Sequence, residues 1–164
     1  MKIELWVIGK TDIEYLKEGI LVYEKRLKHY TSFEIVTLAD VKNPPLSSEQ
    51  LKMKEGENIL SKLQKDDFLV VMDEAGKQFT STEFALFLEK KQVESVKKMI
   101  FLVGGAFGFS EAVYERANQK MAFSKMTFTH QMIRLIFVEQ LYRAYTIIKG
   151  EKYHNWLLFH LFAV

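Results

Sequence analysis

The sequence predicts an α/β fold, a parallel sheet with helices on both faces. Three features carry this expectation. Apolar runs of strand length recur at residues 2–8, 33–39, 68–72, 99–103 and 121–124, and segments of helix length separate them. Strands that alternate with helices build parallel sheets, because each crossover must return the chain to the same end of the sheet. The runs show little in–out alternation, as strands covered on both faces do. No repeat, low-complexity tract or linker divides the 164 residues, a length that suits one domain with a sizeable core.

The first run, Lys2–Ile8, ends at Gly9-Lys10, which turn the chain. Thr11-Asp-Ile-Glu14 has the spacing of a capping box, and Ile13, Leu16, Ile20, Tyr23, Leu27 and Tyr30 then recur at helical steps. Lys17, Glu18, Glu24, Lys25 and Lys28 make an ordinary solvated face. After the strand Phe33–Ala39, the segment Asp40–Ser48 with Pro44-Pro45 is a loop, either part of a lid or a plain connection. Ser47-Ser-Glu-Gln50 offers a second capping box, for a helix running to about Gln64 despite Gly56. Phe68–Met72 is wholly apolar and so central, and Asp73–Lys77 reads as a loop at its carboxyl end. Thr80-Ser-Thr-Glu83 caps a helix with Phe84, Phe87 and Leu88 inward. Met99–Val103 runs straight into Gly104-Gly-Ala-Phe-Gly108, Ser110 caps a short helix to about Asn118, and Met121–Ser124 is a short fifth strand.

Composition narrows the function. Hydrophobic residues make up 48% and charged residues 27%, a globular balance, and no apolar run reaches the ~18 residues that a membrane span needs. The start, Met-Lys-Ile-Glu-Leu-Trp, is too short and too acidic for a signal peptide. Without cysteine there is no disulfide, thiolate nucleophile or zinc–cysteine site. A cytoplasmic protein is the simplest reading. The net charge of +2 hides an asymmetry. Residues 1–115 carry 16 Lys/Arg against 19 Asp/Glu, a net −3, whereas residues 116–164 carry 7 against 2, a net +5. A basic C-terminal third suits an anionic partner, nucleic acid above all.

Ligands of parallel sheets bind beyond the carboxyl ends of the strands. Three segments answer that description, after Met72, after Val103 and after Met121–Ser124. The glycine turn Gly104–Gly108 lets backbone approach a ligand. It is neither a dinucleotide fingerprint nor a P-loop, since Gly-Gly-x-x-Gly follows the fourth strand and no Gly-Lys-Ser/Thr follows. His29, His130, His154 and His160 lack metal-ligand partners at helical spacing, so no metal site is expected. Gly108-Phe-Ser110 lacks the second glycine of a nucleophile elbow.

The stretch Phe123–Arg143 sets Lys125, His130, Arg134, Glu139 and Arg143 among apolar residues. Buried charge is costly unless paired or used, so this stretch reads as a site. The helix at about His130–Lys149 carries two apolar stripes, Ile133, Ile136, Phe137, Leu141, Ala144, Ile148 and Met132, Leu135, Val138, Tyr142, Tyr145. Such a helix is buried on two sides, by the core alone or by core and a second subunit.

These residues carry a resemblance. Phe123–Arg134, Glu139-Gln-Leu-Tyr-Arg-Ala144 and Gly150-Glu-Lys-Tyr-His154 resemble the C-terminal signature of the ribosomal RNA large subunit methyltransferase H family, and Val103–Gly108, Asp73-x-x-Gly-Lys77 and Lys54-Glu-Gly56 resemble it too. The likeness covers residues 1–154 as one domain and leaves 155–164 as an apolar extension. It implies a SPOUT-type fold with a C-terminal trefoil knot, a homodimer, and S-adenosyl-L-methionine as cofactor. It further implies methylation of N3 of a pseudouridine in 23S rRNA on the assembled ribosome. The implied cofactor positions are Met72, Gly104, Gly105 and Phe123, Ser124, Lys125, Met126, Thr127, Phe128. Tyr153, His154 and Arg143 are the candidates for handling the imide proton, and His130 and Arg134 for touching RNA. Two other readings remain: a SPOUT methyltransferase with another RNA target, and a non-catalytic RNA- or ribosome-binding module. Cofactor binding separates enzyme from module, and activity on whole ribosomes separates the two enzymes.

Overall fold

The computed structural model describes residues 1–41 and 46–155, the last two without side chains. The Pro44-Pro45 bend, the His154 side chain and the extension at 156–164 lie outside the described residues.

The elements follow the expected alternation: β1 (Lys2–Ile8), α1 (Glu14–Leu27), β2 (Ser32–Leu38), α2 (Ser48–Lys62), β3 (Phe68–Gln78), α3 (Ser81–Val93), β4 (Lys98–Val103), α4 (Glu111–Arg116), β5 (Gln119–Ala122), α5 (Met132–Ile148) and a closing 3-10 turn at Lys152–Asn155. All four strand pairings are parallel, in the order β2-β1-β4-β3-β5. The loop after β1 leads towards β2, while the loop after β4 leads the other way, towards β5. That divergence opens a crevice at the carboxyl ends of β1 and β4.

Each strand feeds two cores, because successive side chains point to opposite faces. Ile3, Leu5 and Val7 of β1 join Met99, Phe101 and Val103 of β4 on one face, under Leu27 of α1, Phe84 and Leu88 of α3 and Phe137 and Leu141 of α5. Trp6 and Ile8 join Ile100 and Leu102 on the other face, under Ile59 of α2 and Val113 of α4. Helices therefore cover both faces, three on one and two on the other, as the apolar strands require. Burying each large aliphatic or aromatic side chain stabilises the fold by roughly 1.5–3 kcal/mol.

Three local expectations need correction. Thr11 does not cap α1. Its hydroxyl accepts from Arg134 at 2.9 Å, and the amides of Asp12 and Ile13 donate instead to the Gln131 side chain at 2.9 and 3.3 Å. Asp73–Lys77 belongs to β3 and is not a free loop. β3 pairs with β5 on both sides of a register shift between Met72 and Lys77, and the backbone passes so close that a Cβ on Gly76 would lie 2.5 Å from the Met121 nitrogen. β5 spans Gln119–Ala122, two residues earlier than expected, which leaves Phe123 and Ser124 in the following loop. The two remaining boxes form as read, Ser47 with Gln50 and Thr80 with Glu83.

Both stripes of α5 have partners within the protomer. Phe137, Val138, Leu141, Ala144 and Tyr145 are buried against the sheet and its neighbours α1 and α3, whereas Met132, Ile136 and Tyr142 are half-buried. The core alone thus accounts for much of the pattern that suggested a second subunit.

Candidate functional site

Three segments meet beside the register shift of β3 and at the carboxyl ends of β4 and β5. They line a cavity of about 480 Å³ with Met72 and Asp73, with Val103, Gly104, Gly105 and Phe109, and with the run after β5. Of the sequence-selected positions, Met72, Gly104, Gly105, Phe123, Ser124, Met126, Thr127, Phe128 and His130 all line it, while Lys125 is exposed and does not. The run after β5 holds its shape through its own hydroxyls. Ser124 Oγ accepts from the Met126 amide at 2.9 Å, and Thr129 Oγ1 accepts from the Met132 amide at 3.1 Å at the start of α5.

The walls combine apolar surface from Met72, Val103, Phe123 and Ile133 with hydroxyls from Ser124, Thr127 and Thr129 and carboxylates from Asp73 and Glu74. Asp73 is fixed by the Tyr114 hydroxyl, which donates to it at 2.5 Å, and by the Ala75 amide at 2.8 Å. Burial, then this bond, pushes the Tyr114 phenol up to about 12. The volume lies in the range of small-molecule sites, and an apolar bed with a few convergent polar groups is their usual composition. These residues suit a nucleoside bearing a cationic amino-acid tail, with the rings on apolar walls and the cation near carboxylates. Exposed Phe107, Met126 and Phe128 add unpartnered apolar surface around the same loops.

The glycine turn does something the sequence did not reveal. A Cβ on Gly104 would press on the Phe109 ring at 3.0 Å, and one on Gly105 would lie 2.8 Å from Glu55 Oε2. The second glycine is needed for close approach to a buried carboxylate, and Gly108 supplies the positive φ, +78°. From the sequence, Glu55 stood out only within Lys54-Glu-Gly56, as part of the resemblance, and no role was assigned to it. The available signal was its place four residues before Ile59, a charge on the buried face of α2.

Arg134 was expected at an RNA surface. It is 1% exposed, and its guanidinium donates to the carbonyls of Ile8 at 2.7 Å, Gly9 at 3.1 Å and His130 at 2.9 Å, as well as to Thr11. It braces the start of α5 against the end of β1, inside the fold. His130, in contrast, is exposed at the cavity wall.

Arg143 and Tyr153 form a separate cluster. Arg143 pairs with Glu139 and stacks over the Tyr153 ring at 4.9 Å, and Tyr153 Oη donates to Glu139 at 3.3 Å. Burial, the Tyr23 hydroxyl and Glu139 together hold the Tyr153 phenol well above its ordinary value. Arg143 sits ten residues beyond Ile133 on α5, about 15 Å along the axis. In one protomer this cluster therefore does not reach the cavity. Among the described residues no group of acidic and histidine side chains could hold a metal ion, and no helix is long and apolar enough to cross a membrane.

Comparison with known proteins agrees with this geometry. A family model described as a predicted SPOUT methyltransferase matches residues 1–154. Proteins named ribosomal RNA large subunit methyltransferase H from Cytophaga hutchinsonii and Parabacteroides distasonis are each 56% identical to 94% of this chain, across 100% and 99% of their own lengths. One of that name from Christiangramia forsetii is 51% identical, again over 94% of the chain and 99% of its own length. With a parallel sheet, helices on both faces and a match spanning almost every residue, the chain belongs to the SPOUT methyltransferase family.

Proposed function

We propose that this protein methylates N3 of a pseudouridine in 23S rRNA on the assembled ribosome, with S-adenosyl-L-methionine as donor. The observation that supports this most is convergence. The three strand-end segments that the sequence singles out line one cavity whose walls suit that donor. The relatives' shared name supplies the class of RNA. When bound, the donor carries a methyl group on a sulfonium and so brings its own electrophile. Met72, Phe123 and Met126 would bed its rings, backbone at Gly104 and Gly105 and the Ser124 and Thr127 hydroxyls would hold its polar edges, and Asp73 would face its cationic part.

The remaining task is alignment and charge. Transfer is an in-line displacement, so holding the nitrogen and methyl at ~3–3.5 Å contributes most. The imide N3–H must also lose its proton, and Arg143, Tyr153 and His154 are the groups we assign to that step, with Arg143 stabilising the developing anion. Their distance from the cavity along α5 favours a homodimer in which one protomer's cluster serves its partner's cavity. The half-buried residues of α5 and exposed Phe107, Met126 and Phe128 are the surface such a dimer would cover. The trefoil knot comes with the family. We take residues 1–154 as the catalytic domain, 155–164 as an appended segment, and the cytoplasm as the place of action.

Transfer of labelled methyl groups tests the reading. Assembled ribosomes lacking the modification should be labelled, and naked 23S rRNA and transfer RNA should not. Labelling of transfer RNA alone would move the protein to another target. Cofactor binding without any transfer would make it a binding module.

A further inference from the structure

Beside the cofactor cavity lies a second one, of about 650 Å³, at the carboxyl ends of β1 and β2. It occupies the crevice where the loops after β1 and β4 diverge, the place where open parallel sheets bind ligands. Gly105, Ala106 and His130 line both cavities, so only this thin wall separates them. Glu55 points into the second cavity. It is 7% exposed and has no hydrogen-bond partner among the described residues. Its neighbours there do not neutralise it. Asp40 raises its pKa further beyond the effect of burial, and Asp12, Lys10 and His130 are the other charged or titratable groups of the lining.

Two glycines make this arrangement possible. A Cβ on Gly56 would lie 2.2 Å from Ser110 Oγ, so α2 approaches the start of α4 only because residue 56 has none. Gly105 lets the carboxylate approach the turn itself. The fold thus brings a largely buried acidic side chain close to the cofactor wall, with its oxygens facing open space. Its oxygens reach the cavity, so their N–H or O–H donors must come from what fills it, water or a ligand.

We propose that the second cavity receives the target nucleotide, turned out of the RNA stack, and that Glu55 accepts the N1–H by which pseudouridine differs from uridine. This rests on the function proposed above. Enzymes that act on a base inside RNA or DNA take it out of the stack and read it by hydrogen bonds in a pocket. N3 must face the cofactor cavity for transfer. Of the ring's two N–H groups, N1–H is then the one left to the second cavity's own wall. Uridine carries its sugar at N1 and has no donor there. Lys10 at the same cavity supplies a cation for the nucleotide's phosphate. Glu55 is a specificity-determining residue in this account and takes no proton.

The test uses ribosomes carrying either pseudouridine or uridine at the target position, with kcat/KM measured for the wild type, Glu55→Leu and Glu55→Gln. Sites built to bond a substrate N–H reject analogues lacking it strongly. The wild type should prefer pseudouridine by about 100-fold or more. Glu55→Leu should lose most of its rate on pseudouridine and bring the two substrates within about tenfold, and Glu55→Gln, which keeps an acceptor, should fall between. S-adenosylmethionine affinity by calorimetry should be unchanged in both variants. An unchanged preference in Glu55→Leu, an equal loss on both substrates, or a wild type that takes uridine as readily overturns the proposal. So does lost cofactor affinity, which would assign Glu55 to the cofactor. If the leucine variant fails to fold, the glutamine variant's preference decides. A wild type inactive on both ribosomes would instead refute the function proposed above.

Discussion

Arg134 and Glu55 are buried charges of opposite sign, and each makes a prediction. Arg134 satisfies the carbonyls at the end of β1, so Arg134→Leu leaves Ile8 and Gly9 oxygens unpaired. Unfolding in urea should show a loss of about 2–3 kcal/mol. A variant that weakens ribosome binding without losing stability would return Arg134 to the RNA surface. Glu55 has a pKa raised above the ordinary 4.5, first by burial and then by Asp40. A carboxyl raised in the folded state destabilises the fold wherever it is ionised, and that penalty fades as pH falls through the folded value towards the unfolded one. Glu55→Gln should therefore be more stable than the wild type at pH 7.5, with the gain shrinking as pH approaches 4.5. Parallel urea titrations at the two pH values check it, and a constant difference would contradict it. Glu55 was not legible as a site residue because its carboxylate sits against Gly105, which lies far along the chain from α2.

At the scale of elements, the reading succeeded where the cause is local. The Ser47 and Thr80 boxes each close within four residues, and both form. The Thr11 box has the same pattern and fails, because α1 begins only at Glu14, with Ile13 at its N-cap, and the distant Arg134 takes up the Thr11 hydroxyl. Gln131, at the start of α5, instead holds the segment that leads into α1, through the amides of Asp12 and Ile13. Gln131→Ala should cost about 1 kcal/mol, the ordinary net worth of such hydrogen bonds, measured as a shift in the urea midpoint with unchanged slope. No loss would mean that water serves those amides as well. The extension of β3 through Asp73–Lys77 was hidden for a similar reason. Its polar residues read as a turn, and only pairing with β5 beyond the register shift makes them strand. The strand-end loops were legible because a parallel sheet dictates where they must gather, and they line one cavity.

At the scale of the whole molecule, the account predicts a dimer that binds the ribosome through charge. Residues 116–164 carry a net +5, although Arg134 is spent inside the fold. Light scattering should give about twice the chain mass of 19.2 kDa at micromolar concentration. A stable monomer would leave the Arg143–Tyr153 cluster with no cavity to serve. Ribosome affinity should fall with salt, by a log–log slope of about −0.7 to −0.9 for each phosphate contact, and a flat response would remove the basic face from the argument. The central claim is the reaction itself. The most direct measurement is mass spectrometry of 23S rRNA nucleosides after incubating the protein and S-adenosylmethionine with ribosomes lacking the modification. The account predicts one N3-methylpseudouridine per ribosome, appearing only when both protein and cofactor are present. Unmodified pseudouridine under those conditions, or a methyl group on any other nucleoside, would contradict it.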